Sequence, residues 1–231
     1  MRKGDGAPPR CKRRGFRACI HYDIAHYAPP VEKVKAEKCY LSLARQLLDK
    51  ENHKFQYKEI EAGARAQKYY SSIEWLLRAD LIQLCRRVTD IRYDLEDYAQ
   101  DDFFLAYPTD LSLLIGMRDL ELKQRIVENT LAGNTKGGIY ECAIADVLQK
   151  KGYPLYFYKN ETTRKELDFL VQIKGEVVPI EVKGGSAKAA SLTALQGNWP
   201  EISKAFKFMD GNVGTGENGI TSLPLYLSMF L

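Results

Sequence analysis

Apolar residues recur along this chain with two periods, one helical and one of two residues, and the switch between them organises the sequence. Leu41, Leu43, Leu47 and Leu48 predict a helix over Lys38–Lys50. A short helix is expected through Tyr57–Ala64, and Tyr69, Ile73, Leu76 and Leu77 predict another over Gln67–Arg78. Leu81–Val88 then reads as a strand. Three helices followed by a strand is the order of a winged helix-turn-helix, so residues 37–110 are expected to form a winged-helix-like helical domain. Asp90–Asp102 reads as an acidic, irregular connection, and Phe103–Tyr107 as a short strand.

In the second half, Leu111–Gly116 and Leu120–Leu131 read as helices, and Gly133–Gly138 as a glycine-rich break. Tyr140, Ala143, Ile144, Val147 and Leu148 give the helix Ile139–Lys150 an apolar face, and Gly152-Tyr-Pro closes it. Strands follow at Leu155–Tyr158, Leu167–Ile173 and Val177–Val182. A helix over Ala187–Leu195, a strand at Ala205–Met209, a glycine loop and a strand through Leu223–Met229 complete the pattern. The expected fold class is α+β, with a second domain over residues 111–231 built on a mixed sheet.

One hairpin stands out. Lys174-Gly175 is suited to a two-residue turn, which places Asp168 across from Glu181 and Glu166 across from Lys183. Side chains alternate faces along a strand, so these four groups are expected on one face, with Leu167, Phe169, Val171, Val178, Ile180 and Val182 on the other. Like charges facing each other destabilise a strand pair by roughly 0.2–1 kcal/mol. A carboxylate pair held at that cost, with an ammonium beside it, suits a hard divalent cation and a phosphodiester. Asp168 and Glu181 would hold Mg2+ or Mn2+, Glu141 would add a third acid from the preceding helix, and Lys183 would position water or phosphate. The plain alternative is an ordinary Glu166–Lys183 ion pair with the other acids facing water.

This helix glutamate, strand aspartate and E-x-K resemble the PD-(D/E)xK nuclease fold. More specifically, Gly138-Ile-Tyr-Glu141, Tyr156-Phe-Tyr158, Glu166-Leu-Asp168-Phe-Leu and Val178-Pro-Ile-Glu-Val-Lys183 resemble an uncharacterised domain found C-terminal to AAA-type ATPase domains in prokaryotic ATP-binding proteins. Residues Ala64–Ile82 are similar to the winged-helix segment of those proteins, and Ser222-Leu-Pro-Leu-Tyr226 to their closing segment. The resemblance implies a nuclease-like α/β/α domain that acts on or binds DNA and works with an AAA-type ATPase. Its other implication is a non-catalytic nucleic-acid-binding or protein-interaction module. Asp110-Leu-Ser-Leu-Leu114 departs from the family's Asp-x-Gly-Leu-Leu. No G-x4-G-K-[ST] occurs, so the ATPase half is missing and the chain looks like a C-terminal portion or truncated product with an unrelated basic leader.

Charge and cysteine change this picture little. The net charge is +4, yet residues 1–20 carry seven basic residues against Asp5 alone, so the remainder is net acidic. With Gly4, Gly6, Pro8 and Pro9, residues 1–36 are expected to be a disordered leader. Arg65, Lys68, Arg86 and Arg87 surround the expected recognition helix and wing, where phosphates would be contacted. The five cysteines are scattered without a Cys-x-x-Cys pair, as in a reducing cytoplasm. No apolar run approaches the ~18 residues of a membrane span, and no signal peptide is expected. Gly214-Thr-Gly216-Glu-Asn-Gly219 matches a dinucleotide motif by letters only, because Pro224 and a β-like run follow instead of a helix. His21, His26 and His53 show no partner pattern.

Overall fold

Apolar residues at helical spacing bury one side of two helices that pack together, α2 (Lys33–Leu48) and α3 (Ala66–Arg78). Cys39, Tyr40, Leu43 and Leu47 of α2 are buried, as are Tyr69, Ile73 and Leu76 of α3. Glu32 links the pair by accepting from Ser71 at 3.0 Å and from Ser72. This computed structural model describes residues 16–48, 54–118, 120–163, 165–185, 192, 198–216 and 219–231. The expectation of a disordered leader is corrected from residue 16 onward. Phe16–Tyr27 form helix α1, and Ile20 and Ile24, one turn apart, are buried in the main core. Residues 1–15 lie outside the described residues. The helix expected over Tyr57–Ala64 shrinks to a single 3-10 turn, Tyr57–Glu59.

All described strands join one eight-stranded mixed sheet. β1 (Ile82–Val88) pairs antiparallel with β2 (Ala99–Pro108) and parallel with β3 (Leu155–Lys159). β4 (Glu166–Ile173) and β5 (Glu176–Lys183) follow antiparallel. β6 (Ala205–Met209) lies parallel to β5; beyond β6 come β8 (Ile220–Pro224) and the edge strand β7 (Gly214–Thr215), giving the order β2-β1-β3-β4-β5-β6-β8-β7. The fold class is therefore α+β. Strands from both sides of residue 110 share this sheet, and a single apolar cluster runs from Ile20 to Phe208.

The α-helices between Phe16 and Lys150 collect on one face, while the helical residue Leu192 belongs to the opposite one. α6 (Gly133–Lys150) packs on β5, β2 and β3, and α2 packs on α6; α4 (Leu111–Gly116) touches both, and α5 is Leu120–Val127. Asp110 caps α4 by accepting the Ser112 N–H at 2.6 Å, so serine serves at this turn. The glycine-rich break expected at Gly133–Gly138 is instead the first turns of α6. A Cβ on Gly138 would lie 2.3 Å from the Leu47 carbonyl oxygen, so glycine is what lets α6 and α2 approach this closely. The opposite face carries a smaller cluster: Val88, Ile91, Leu95, Tyr156, Tyr158, Leu167, Leu170, Leu192, Ile202, Ala205 and Ile220.

Two further expectations shift. β2 begins at Ala99, inside the segment expected to be irregular. The last strand ends at Pro224, and Leu225–Phe230 form a 3-10 turn, because the apolar alternation there fits either structure. The helix expected over Ala187–Leu195 lies outside the described residues except for Leu192. No helix among the described residues is long and apolar enough to cross a membrane.

Candidate metal and phosphate site

The β4–β5 hairpin has the register read from its turn. Phe169 pairs with Ile180, Leu170 with Pro179, Val171 with Val178, Gln172 with Val177 and Ile173 with Glu176. Lys174 and Gly175 both take positive φ, 52° and 85°, as a type I′ hairpin requires.

The ladder stops one pair short of Asp168 and Glu181, and β3 is the reason. Tyr156 pairs with Leu170 but Tyr158 pairs with Leu167, so Asp168 and Phe169 together oppose Phe157 in a β-bulge. The bulge breaks the alternation of faces. Phe169 and Val171 join the helix-covered core, while Leu167 and Leu170 both join the opposite cluster. Two expectations are corrected here: Leu167 does not share a face with Phe169, and Asp168 is not a ladder partner of Glu181. Asp168 Oδ2 instead accepts the Val182 N–H at 2.7 Å, taking a donor the continued ladder would have used.

Glu181 sits between Ile180 and Val182, which point into the helix-covered core, so its side chain emerges on the other face. It is only 2 % exposed. Lys183 Nζ donates to its Oε1 at 2.6 Å, while Oε2 is buried with no hydrogen-bond partner among the described residues. Burial raises the Glu181 pKa. Lys183 opposes that shift, the Asp168 charge adds to it, and the Leu192 backbone N–H pulls weakly downward. The Asp168 charge thus acts on Glu181 without a ladder pair between them.

Glu141 comes from α6, on the helix-covered side. Burial first, then its charge, raises the Tyr107 pKa, and Asp168 acts on Tyr107 in the same direction. Both acids likewise hold up the buried Cys85 thiol, after burial itself. Asp168 is therefore felt on Glu141's side of the sheet as well as by Glu181 on the other. Among the described residues, no group of three or more His, Cys, Asp or Glu side chains is placed to hold a metal ion. Asp168, Glu181 and Glu141 are therefore not found as one such group.

Lys207 was not anticipated. It is 8 % exposed and is the direct neighbour of Glu181 on the parallel strand β6, as Phe208 is of Val182. Ser222 on β8 is next in line. The signal in the sequence is one lysine inside the apolar strand Ala205-Phe-Lys-Phe-Met209. By contrast, three of the cations expected around the wing are engaged internally. Lys68 pairs with Glu61; Arg86 pairs with Glu96 and with Asp101 at 3.2 Å; Arg87 donates to Gln100 at 2.7 Å and Glu161 at 3.0 Å. Arg65 is exposed at the N-cap of α3. The glycines of the dinucleotide-like run border the β7–β8 hairpin. Cys39, Cys85 and Cys142 are free and buried; Cys11 lies outside the described residues.

Fold and sequence together place the chain among uncharacterised α+β domains. Residues 136–226, which hold Glu141, Asp168, Glu181, Lys183 and Lys207, match a family model described as a domain of unknown function, DUF4143. Residues 7–124 match a second, described as a domain of unknown function, DUF8612. That second match spans half of the sequence, and the chain belongs to the DUF8612 family. No curated protein and no solved structure matches it.

Proposed function

We propose that this chain is a Mg2+- or Mn2+-dependent nuclease-like domain that engages DNA phosphodiesters and works beside an AAA-type ATPase. The observation that carries the reading is Glu181: a buried carboxylate with an unpartnered Oε2, a lysine on its other oxygen and a second carboxylate close enough to raise its pKa. An orphaned buried acceptor is costly unless something occupies it. Its chemistry, with that of Asp168, is hard oxygen, which suits Mg2+ or Mn2+. Asp168 and Glu181 would hold the ion, and Glu141 would assist from α6. When bound, such an ion acidifies water and neutralises phosphate charge. Lys183 fixes the Glu181 carboxylate through Oε1 and would hold water or a phosphate oxygen.

The test is a Mg2+ and Mn2+ titration by calorimetry alongside plasmid nicking, with Asp168→Ala and Lys183→Ala. Metal binding that disappears in Asp168→Ala, and nicking that falls by about two orders of magnitude or more in both variants, is expected. Absence of metal binding at millimolar concentrations would sink the reading. A second reading, a protein-interaction module without turnover, draws on the internally paired Lys68, Arg86 and Arg87 and on exposed Tyr27 and Tyr70. It is favoured if metal binds and no strand is cut.

A further inference from the structure

The roles given to Asp168, Glu181 and Lys183 leave Lys207 without a task, and its position calls for one. Its side chain is largely covered, yet its Nζ is not among the buried polar atoms that lack a partner, so the ammonium reaches the surface. Lys207 has no ion pair or hydrogen bond among the described residues, although Glu181 is its register partner and keeps Oε2 open. Neighbouring strands lie about 4.8 Å apart, within easy reach of a lysine chain. The two opposite charges nevertheless do not close on each other, and Glu181 takes Lys183 instead.

A cation and an anion held side by side, each with an open valence, fit a ligand that presents both signs. A phosphate group accompanied by a divalent cation is such a ligand. Glu181, Lys207 and Ser222 lie in one row across the parallel strands β5, β6 and β8, so their side chains share one face of the sheet. Ser222, half-buried beside Lys207, adds a hydroxyl to the same row.

We infer that Lys207 is the phosphate-binding member of this site, its ammonium holding a non-bridging phosphate oxygen of a nucleic-acid backbone beside the Glu181 carboxylate. The assignment rests on the phosphodiester reading above, and its test separates the two. Wild type, Lys207→Met and Lys207→Arg are compared by Mn2+ calorimetry, by anisotropy of a short fluorescein-labelled DNA duplex in Ca2+, and by thermal melting. Lys207→Met is expected to weaken duplex binding about tenfold or more, the scale of one charge-assisted hydrogen bond. Its Mn2+ affinity is expected to be unchanged or raised, and its melting temperature unchanged, because a cation beside Glu181 is removed without breaking an ion pair or hydrogen bond. Lys207→Arg is expected to keep most of the duplex affinity. Unaltered duplex binding in Lys207→Met overturns the assignment and leaves the metal reading standing. Lost duplex binding in a protein that never binds Mn2+ overturns the metal reading and keeps Lys207. A wild type that binds neither overturns both. Melting temperatures lowered in both variants mark a structural lysine and overturn the assignment.

Discussion

The two faces of the sheet solve different problems with the same strands. The helix-covered face is closed and apolar: Phe169, Val171, Val178, Ile180, Val182 and Phe208 pack beneath α6 and α2, and Gly138 brings those helices into direct backbone contact. Its buried thiols, Cys85 and Cys142, have pKa values pushed well up by burial. The other face buries a carboxylate and a lysine in adjacent strands without joining them. Apolar burial stabilises both faces, but on the second it also covers the Glu181 carboxylate, whose Oε2 lacks a partner among the described residues, and that is a strain. A protein tolerates that strain where a bound group relieves it. The larger core thus lies on one side of the sheet, and the candidate chemistry sits with the smaller cluster on the other.

The largest effect that would test this division is on the closed face. Phe169 is fully buried and lies 5.8 Å from Tyr107, ring centre to ring centre. Phe169→Ala is expected to destabilise by about 3–5 kcal/mol, the usual range for deleting a core aromatic. Urea unfolding measures it. A loss under about 1 kcal/mol would mean the helix-covered core is not what holds the sheet.

Glu181→Gln tests the other face, with the opposite sign. Burial raises the folded-state pKa of Glu181 above 4.5, its value when unfolded. The folded protein therefore binds this proton more readily than the unfolded chain. Stability is lost as pH rises from 4.5 through the raised pKa, and the penalty is complete above it. Glutamine removes that penalty. Glu181→Gln is expected to be more stable than wild type at neutral pH by about 1–2 kcal/mol, the scale of a buried unsatisfied polar group, and to lose the advantage in acid. Unfolding curves at several pH values show the convergence. If the variant is less stable at neutral pH, the Lys183 pair outweighs burial, and the faces are more alike than proposed.

Sequence patterning made one face legible and misread the join between the two. Period-two alternation and the Lys174-Gly175 turn correctly gave the register from Phe169–Ile180 to Ile173–Glu176. They did not give the bulge at Asp168–Phe169, because a bulge depends on the partner strand, and β3 lies far away in sequence. The same limit hid Lys207, whose meaning comes from its neighbour across a parallel pair. Glu141 was legible as a helix residue near the site, but the face it approaches is set by α6 packing on the sheet. Gly138 looked like a helix breaker because its use, contact with Leu47, is tertiary.

The smallest expected effect concerns the turn that keeps the faces apart. A slip of one residue in β4 against β5 would exchange the apolar and charged faces. Register is pinned by Lys174 and Gly175, and only glycine adopts positive φ without steric cost. Lys174, at φ 52°, lacks the short polar side chain that eases this conformation. Asn-Gly is the preferred pair for such a turn. Lys174→Asn is expected to stabilise the fold by about 0.5 kcal/mol, since the substitution relieves one strained residue and touches neither face. Mn2+ affinity should stay unchanged, because Lys174 stands at the far end of the hairpin from Glu181. A gain in stability accompanied by altered metal affinity would show that register is not yet fixed in the wild type. The two faces would then be coupled through the turn.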